Sequence, residues 1–378
     1  MAANTRDRDA TFQEVLERQG WHRPAALERR AGSLPPWELD SALRLSLALA
    51  GEEAEQDLET WRRAMYREGR RRLFPRRFEA ASDPVAAVAS YFFPLAAAVL
   101  RAQAARGGDR IAVRLPFAPL TADEIAAWPA GEEYRRLLPF LEEEGFLVTL
   151  TTAQEWLGFS IADHVLGVTG LCLWIGRQLA RTVPVDLPLL HGAAIGHDIG
   201  KFGCIGAEER AIPRLHYFYT HQWYHSRGLL DIGHIATNHS CWDLEPIRLP
   251  VETQLLIYAD FRVKDAAGPD GRESMHITSL GTAFAAIRDK LENLDRPKLR
   301  RYEGVYRKLR DLEDYLLHLG VDLDPPGFAT RPVRPPRLPH GLEVVRILAG
   351  TERPDRAALA TGRDLLTTAR LFSTAHNI

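Results

Sequence analysis

A short apolar stretch, HGAAIGHDIGKFG at residues 191–203, contains three side chains that could do chemistry. They are His197, Asp198 and Lys201, and their neighbours are mainly glycine, alanine, isoleucine and phenylalanine. Burying a charge is costly unless the charge is paired or bound to a metal ion. The stretch therefore requires partners from elsewhere in the chain.

Histidines are concentrated around this stretch. Eight of the thirteen histidines lie between residues 164 and 239. Neutral imidazole is the commonest metal ligand in proteins, and carboxylates complete such sites for divalent ions. Taken singly, His191 and His216 are expected to be ordinary core or surface histidines, but the series as a whole predicts a metal site.

Two predicted helices would bring the first ligands together. His164 lies near the start of one long apolar helix and His197 near the end of the next, with prolines in the turn at 184–188. A helix rises about 1.5 Å per residue. If a first helix of roughly 20 residues is followed by an antiparallel one of about 10, the two histidines lie within a turn or two of each other along the helix axis.

Asp198 and Lys201 extend this site. If the helix continued, Asp198 would project about 100° from His197 around the helix axis. The two side chains would then contact an ion from two sides. Gly200 would allow the helix to end and would present Lys201 at the mouth of the site. A primary ammonium there is suited to a phosphate oxygen, and the chain contains only five lysines.

The order of these residues matches a known pattern. His164, then His197-Asp198 within HDIGK, then Asp260 in LLIYADFRVKD, resembles the HD superfamily of metal-dependent phosphohydrolases. The resemblance covers roughly residues 155–295. It implies an all-helical core in which these four residues bind a divalent metal ion.

Some members of the superfamily add two histidines and bind a second ion, bridged by the aspartate of the dipeptide. His239 is the first choice for one of these ligands. The other is His221 or His225, which lie one helical turn apart on the same face, and His225 is slightly preferred because HSRGLL resembles the family's histidine followed by glycine and leucines. His234 is a weaker candidate.

The resemblance implies a phosphohydrolase or phosphodiesterase that acts on a nucleotide, cyclic nucleotide or other phosphoester. Asp198, as the bridge between ions, and Lys201, as a phosphate contact, are the predicted catalytic residues. One or two divalent ions (Mn, Fe, Mg, Co, Ni or Zn) are the expected cofactors. One branch of the superfamily, the cyclic-di-GMP phosphodiesterases, carries a GYP signature. This chain has SCWDLEP after Asn238-His239 instead, which argues against cyclic-di-GMP as the substrate.

Two other functions stay open at this point. HD-fold di-iron oxygenases use the same order of ligands, and a regulatory protein could bind a nucleotide in such a pocket without turnover. The regions outside the resemblance could contact protein partners. Bound iron with oxygen consumption would indicate the first alternative, and metal binding without turnover would indicate the second.

Composition limits the classes of protein that are possible. The 46% hydrophobic and 26% charged residues are typical of a globular protein, and a formal charge of -2 excludes a broad basic surface for nucleic acid. Three widely spaced cysteines without a CxxC pair indicate a reducing compartment. The longest apolar run, residues 84–100, is short for a membrane span and contains Pro94, so it predicts a buried helix pair. With a charged N-terminal stretch, these features predict a cytoplasmic protein with no membrane segment.

Periodicity predicts a mainly α fold. An HD-type helical bundle is expected at 151–322, after a mostly helical region at 1–150 whose small β element comprises strands at 109–117 and 145–152. A proline- and arginine-rich linker at 323–341 and helices at 342–378 would complete the chain. Within the bundle, apolar residues at helical spacing predict the later helices at 215–230, 232–240, 250–266, 272–293 and 296–319.

Overall fold

The computed structural model describes most of the chain between residues 58 and 325. The described residues are 58–106, 119–142, 149–150, 161–244, 249–267, 273–290 and 295–325, with isolated positions between 43 and 52. These residues form helices and a single two-stranded antiparallel sheet, which confirms the prediction of a mainly α fold. The predicted linker beyond residue 325 and the helices at 342–378 lie outside the described residues.

The chain divides into two units. The first comprises Met1–Ala118 and Pro139–Ala162, and the second comprises Pro119–Leu138 and Asp163–Ile378. All eight histidines of the sequence cluster belong to the second unit. The domain boundaries drawn from the sequence stay predictions.

The first unit contains α1 (Leu58–Leu73) and α2 (Asp83–Arg106). The guanidinium of Arg72 on α1 lies 4.2 Å from the centre of the Phe93 ring on α2. The expected break at Pro94 is wrong, because α2 is continuous through that residue. A proline inside a helix removes one backbone hydrogen bond, and the apolar residues on either side of Pro94 still favour a helix.

The two strands predicted for the N-terminal region are not observed where the structure describes the chain. Residues 109–117 lie outside the described residues. Of residues 145–152, only 149 and 150 are described, and they are helical, so the prediction of a strand is wrong there. Thr149 lies so close to Gly69 of α1 that a Cβ on the glycine would be 2.4 Å from its hydroxyl oxygen. A short apolar run fits a buried helix as well as a strand.

The remaining helices surround the histidine-rich region. In chain order they are α3 (Ala122–Ala126), α4 (Gly131–Glu142), α5 (Ile161–Leu179), α6 (Leu187–Gly196), α7 (Ile212–His225), α8 (Leu230–Thr237), α9 (Val251–Arg262), α10 (Leu280–Lys290) and α11 (Arg296–His318). Short 3-10 helices occupy Ile199–Gly203, Gly206–Ala211 and Cys241–Leu244. None of the described helices is long and apolar enough to cross a membrane.

Helix α6 is the central element of the second unit. Nine of its ten residues are buried, as expected for a helix that is apolar all round. Asp186 caps its first turn by accepting from the backbone N–H of Leu189, and its other oxygen accepts from Ala130. The N–H of Asp186 donates to the buried carboxylate of Glu252 on α9. These bonds fix where α6 begins.

The end of α6 differs from the sequence prediction. The helix was expected to continue through HDIGK to Gly200, but it ends at Gly196, with His197 as the C-terminal cap and a 3-10 helix after Asp198. Gly200 is required for packing, because a Cβ there would lie 1.8 Å from the backbone oxygen of His216 on α7. The glycine allows α7 to approach residues 197–201, referred to below as the HD segment, at backbone contact distance.

The sheet lies at a place where the sequence predicted helix. Strands β1 (Val263–Ala267) and β2 (Glu273–Ile277) pair antiparallel, with Val263 opposite Ile277. The helices predicted at 250–266 and 272–293 are therefore too long. The sequence between the strands contains GPDG, a strong turn signal. The prediction at 296–319 is confirmed by α11.

Arg262 connects this hairpin to the rest of the unit. Its fully buried guanidinium donates to the carbonyls of Thr278 and Leu323, to the Tyr258 hydroxyl and to Asp324. A buried guanidinium must be hydrogen-bonded, since an unpaired buried charge is very costly. Arg262 therefore fixes the C-terminal end of α9.

Candidate metal centre

Four residues from three helical segments meet in the second unit. Nε2 of His164 on α5 lies 3.1 Å from Oδ1 of Asp260 on α9 and 3.6 Å from Oδ2 of Asp198. Nε2 of His197 lies 3.6 Å from the same Asp198 oxygen and 3.9 Å from the Asp260 oxygen. The structure thus brings together the four residues that the sequence predicted as the first metal site. Among the described residues, His164, His197 and Asp260 form one of two groups that could hold an ion.

A second group shares His197 with the first. His197, Asp198 and His239 offer ligand atoms that all lie within 4.8 Å of one another. His216 joins them, since its Nε2 lies 3.3 Å from Nε2 of His239 and 3.8 Å from Oδ1 of Asp198. The two oxygens of Asp198 therefore face different sets of histidines, as a carboxylate between two ions would require.

Backbone carbonyls orient three of the imidazoles. Each Nδ1 lies 2.6 to 2.8 Å from a carbonyl oxygen three or four residues earlier in the chain, in His197, His216 and His239. A carbonyl can only accept, so Nδ1 carries the proton and Nε2 presents its lone pair. Metal-ligating histidines are usually held by such a bond from the opposite nitrogen. Nε2 of His197 is buried without a hydrogen-bond partner, and a metal ion would satisfy it.

The pKa values of the histidines and aspartates give the protonation states that bind a cation. Burial lowers the pKa of His216 to about 4 and that of His239 to about 3, so both imidazoles are neutral at physiological pH. Burial alone would raise the pKa of Asp198, but Lys201 and the surrounding imidazoles hold it well below its usual value. Burial alone would raise the pKa of Asp260 too, but a hydrogen bond from His164 and the nearby charges, that of Lys264 first among them, together hold it low. Neutral imidazoles beside ionised carboxylates fit a divalent ion.

Lys201 lies at the edge of the cluster. Its Nζ is 2.6 Å from Oδ2 of Asp198, the oxygen that also faces His164 and His197. The side chain of Asp198 is 4% exposed, whereas those of Lys201 and Asp260 are 16% and 28% exposed. The cluster therefore opens to solvent on the side of Lys201 and Asp260, as the sequence predicted for the lysine.

Sequence reasoning missed His216 as a member of the cluster. The buried residues of α7 are His216, Tyr219, Thr220, Trp223 and Tyr224, which follow the three- and four-residue spacing of one helical face. This spacing is the signal that could have found His216, because it assigns the histidine to the face that packs inward.

Two further residues of α7 complete this side of the cluster. Thr220 donates to the carbonyl of His197 and accepts from the N–H of Gly200, which holds α7 against the HD segment. The half-exposed ring of Tyr217 packs on both His216 and His239, with ring centres 3.9 and 4.7 Å apart. Nothing in the sequence singles out either residue.

The structure does not bring His221 or His225 into the cluster. Their rings pack against each other, 5.4 Å apart, with His225 exposed and His221 half-buried. Neither belongs to a group of possible metal ligands among the described residues. His234, the weaker candidate, lies against the side chain of Asn238. That His221 or His225 binds the second ion stays a prediction, and His216 occupies the position assigned to them.

His191 fits its sequence interpretation as a core histidine. It is fully buried on α6, and its Nδ1 lies 2.8 Å from the hydroxyl of Tyr134 on α4. Burial lowers the pKa of His191 to about 3. The residue therefore contributes a neutral polar contact to the packing of α4 on α6.

Comparisons of the chain with family models, with curated proteins and with solved structures found no match. Arguments about function therefore depend on the residues and geometry described above.

Proposed function

We propose that this protein is a metal-dependent phosphohydrolase of the HD type, acting on a nucleotide, a cyclic nucleotide or another phosphoester. The observation that carries the proposal is the position of Asp198. Its two oxygens face His164 and His197 on one side and His216 on the other, in a cluster that Asp260 and His239 complete.

The residues present fit one or two divalent ions. His164, His197, Asp198 and Asp260 would hold the first ion, and the second would lie between Asp198 and the pair His216 and His239. Divalent ions in such a site activate water for attack on phosphorus and neutralise the charge that develops on the phosphoryl group. Oxygen and imidazole donors suit Mn, Fe, Co, Ni, Zn or Mg.

The chain's own residues supply binding and shielding. Lys201 would exchange part of its contact with Asp198 for a substrate phosphate oxygen, because an ammonium donates in three directions. The buried imidazoles of His197 and His239 keep bulk water from one side of the cluster, so substrate approaches from the side of Asp260. The expected partner is a small phosphoester or nucleotide. The cytoplasmic location predicted from the cysteines stays a prediction.

Elemental analysis of the purified protein, combined with a panel of phosphoesters under several divalent ions, tests this function. The parent should carry at least one ion and release phosphate. Asp198→Ala should lose metal and activity together, since this carboxylate faces both sets of histidines. Unchanged metal content in that variant would contradict the site.

The same experiment separates the two other functions. Bound iron with oxygen consumption and no phosphate release would indicate an oxygenase. Bound metal and bound nucleotide, with no turnover across the panel, would indicate a regulatory protein.

A further inference from the structure

Two imidazoles of the metal cluster point the same nitrogen toward each other. Nε2 of His216 lies 3.3 Å from Nε2 of His239. The opposite nitrogens, Nδ1 in both rings, lie 2.8 and 2.6 Å from the backbone carbonyl oxygens of Ile212 and Ala236. Because a carbonyl can only accept, both Nδ1 atoms carry the proton. The two Nε2 atoms therefore face each other with lone pairs and form no hydrogen bond.

This arrangement is unfavourable unless a cation occupies it. His216 and His239 are 5% and 3% exposed, and two buried acceptors without a donor are costly. Oδ1 of Asp198 lies 3.8 Å from Nε2 of His216, so an ion bound here would be offered two imidazole nitrogens and one carboxylate oxygen. Until an ion binds, packing must hold the two rings in place.

The ring of Tyr217 packs on both imidazoles. Its centre lies 3.9 Å from that of His216 and 4.7 Å from that of His239, with interplanar angles of 38° and 42°. Tyr217 follows His216 directly on α7, and consecutive residues of a helix project about 100° apart and do not normally face each other. The ring of Tyr217 is therefore turned back toward the cluster.

Tyr217 links two ligands that different helices carry. His216 lies on α7, whereas His239 follows α8, and the Nδ1 hydrogen bond of each imidazole leads only to its own helix. Tyr217 is half-exposed while both imidazoles are buried, so its ring forms part of the cover that separates them from solvent. Residues that orient metal ligands without binding the ion commonly set the metal affinity of a site.

We propose that Tyr217 is a positioning residue for the second ion, and that its ring holds the imidazoles of His216 and His239 in the converging arrangement that binds this ion. The inference rests on the proposed function, which supplies the ion. The first ion should not depend on Tyr217, because two of its ligands, His164 and Asp260, lie on α5 and α9.

Equilibrium dialysis of the full-length protein against a series of free Mn²⁺ concentrations, followed by elemental analysis, tests the inference. The parent should bind two ions, and the binding step that is missing in His239→Ala identifies the second ion. In Tyr217→Leu the dissociation constant of this step should rise about ten- to a hundredfold, as for other residues that orient metal ligands. The dissociation constant of the first ion should change by less than roughly threefold, as expected for an independent site.

Two variants control for a purely structural role of Tyr217. Tyr217→Phe keeps the ring and should bind both ions as the parent does. Phe218→Leu removes the neighbouring ring of α7, which is 38% exposed and packs on Tyr219, and should also bind both ions. The melting temperature of each variant shows that the fold is retained, since a general loss of packing would lower stability and weaken both ions together.

The result that overturns the inference is an equal weakening of both ions in Tyr217→Leu, no weakening of either, or the same selective loss in Tyr217→Phe. A parent that binds a single ion would overturn it as well. Phosphoester hydrolysis by the parent would leave the proposed function standing in each of these cases. Selective loss of the second ion in Tyr217→Leu, with a parent that hydrolyses no phosphoester, would have the opposite meaning, with the positioning role supported and the hydrolase overturned.

Discussion

Glu133 on α4 is the residue whose substitution should most clearly change the pH dependence of stability. Its carboxylate accepts from the backbone N–H of Asp231 at 2.9 and 3.1 Å and lies 3.4 Å from that of Ile232. These are first-turn donors of α8, and the preceding residue, Leu229, has no side-chain oxygen that could cap them. Glu133 therefore caps α8 from another helix, and α8 leads directly to His239.

Burial makes this cap pH-sensitive. Glu133 is 6% exposed, and burial together with the charge of Asp231 raises its pKa from 4.5 to about 7, although the N–H donors and Arg136 oppose the change. The folded state then binds more protons than the unfolded state between these two pH values. Stability should fall as pH rises through that window, by about 3 kcal/mol in total for this group.

Glu133→Gln removes the titration while keeping an oxygen that can accept from α8. Urea denaturation of the parent and the variant between about pH 5 and about pH 8 would give the free energy of unfolding of each. The variant should gain stability relative to the parent as pH rises, by about 3 kcal/mol at most. Other titrating groups, including the histidine cluster, cancel in this difference.

The matched control is Glu132→Gln. Glu132 neighbours Glu133 on α4, but its side chain is 73% exposed, so its substitution should leave the pH profile of the parent unchanged. If Glu133→Gln and the parent gave parallel profiles, the carboxylate would not be protonated in this window and the reasoning would be refuted.

Four further substitutions test how the cluster and the elements that carry it are assembled. Gly200→Ala should force α7 away from the HD segment, since its Cβ would lie 1.8 Å from the His216 oxygen, and should lower both the melting temperature and the metal content, at a cost of about 1–3 kcal/mol or more. His239→Ala should lose an ion, whereas His225→Ala, at an exposed position, should keep every ion that the parent binds. If elemental analysis showed the reverse, His225 would be the ligand, as the sequence predicts. Arg262→Met should reduce the free energy of unfolding by about 3–5 kcal/mol, because it breaks a buried charge network, and a loss under roughly 1 kcal/mol would show that the network is not needed.

The order and spacing of the histidines and aspartates predicted the ligands of the first candidate ion site. His164, His197 and Asp260 belong to helices whose apolar runs could be identified from the sequence. The short connection between the first two helices predicted that His164 and His197 lie close together. Their side chains meet as predicted. The local conformation at Asp198 was not predictable, because where α6 ends depends on contacts made across the fold.

The ligands of the second candidate ion site could not be chosen from spacing, because the choice depends on tertiary contacts. On α7 a histidine occurs at 216, 221 and 225, and spacing alone makes the last two an attractive pair. The choice is decided by which face of α7 is buried. That face is set by close packing at Gly200 and by the bonds of Thr220, neither of which a sequence displays. The hairpin after Arg262 was missed for a different reason, since its turn signal was present but was outweighed by apolar residues at helical spacing.

Four of the candidate metal ligands lie at or next to helix ends. His164 lies in the first turn of α5, His197 caps α6, His239 follows α8, and Asp260 lies in the last turn of α9. Helix ends fray more readily than helix centres, because their backbone groups lack intrahelical partners.

A metal site at such positions therefore requires that each helix be held in place by a bond from elsewhere, and the structure supplies one for three of these four helices. Asp186 caps the start of α6, Glu133 caps the start of α8, and Arg262 anchors the end of α9. None of the three is itself a candidate ligand, and each sets the position of a helix that carries one. Substitutions at the caps should consequently lower metal affinity without removing a ligand, by an amount that follows the loss of local stability.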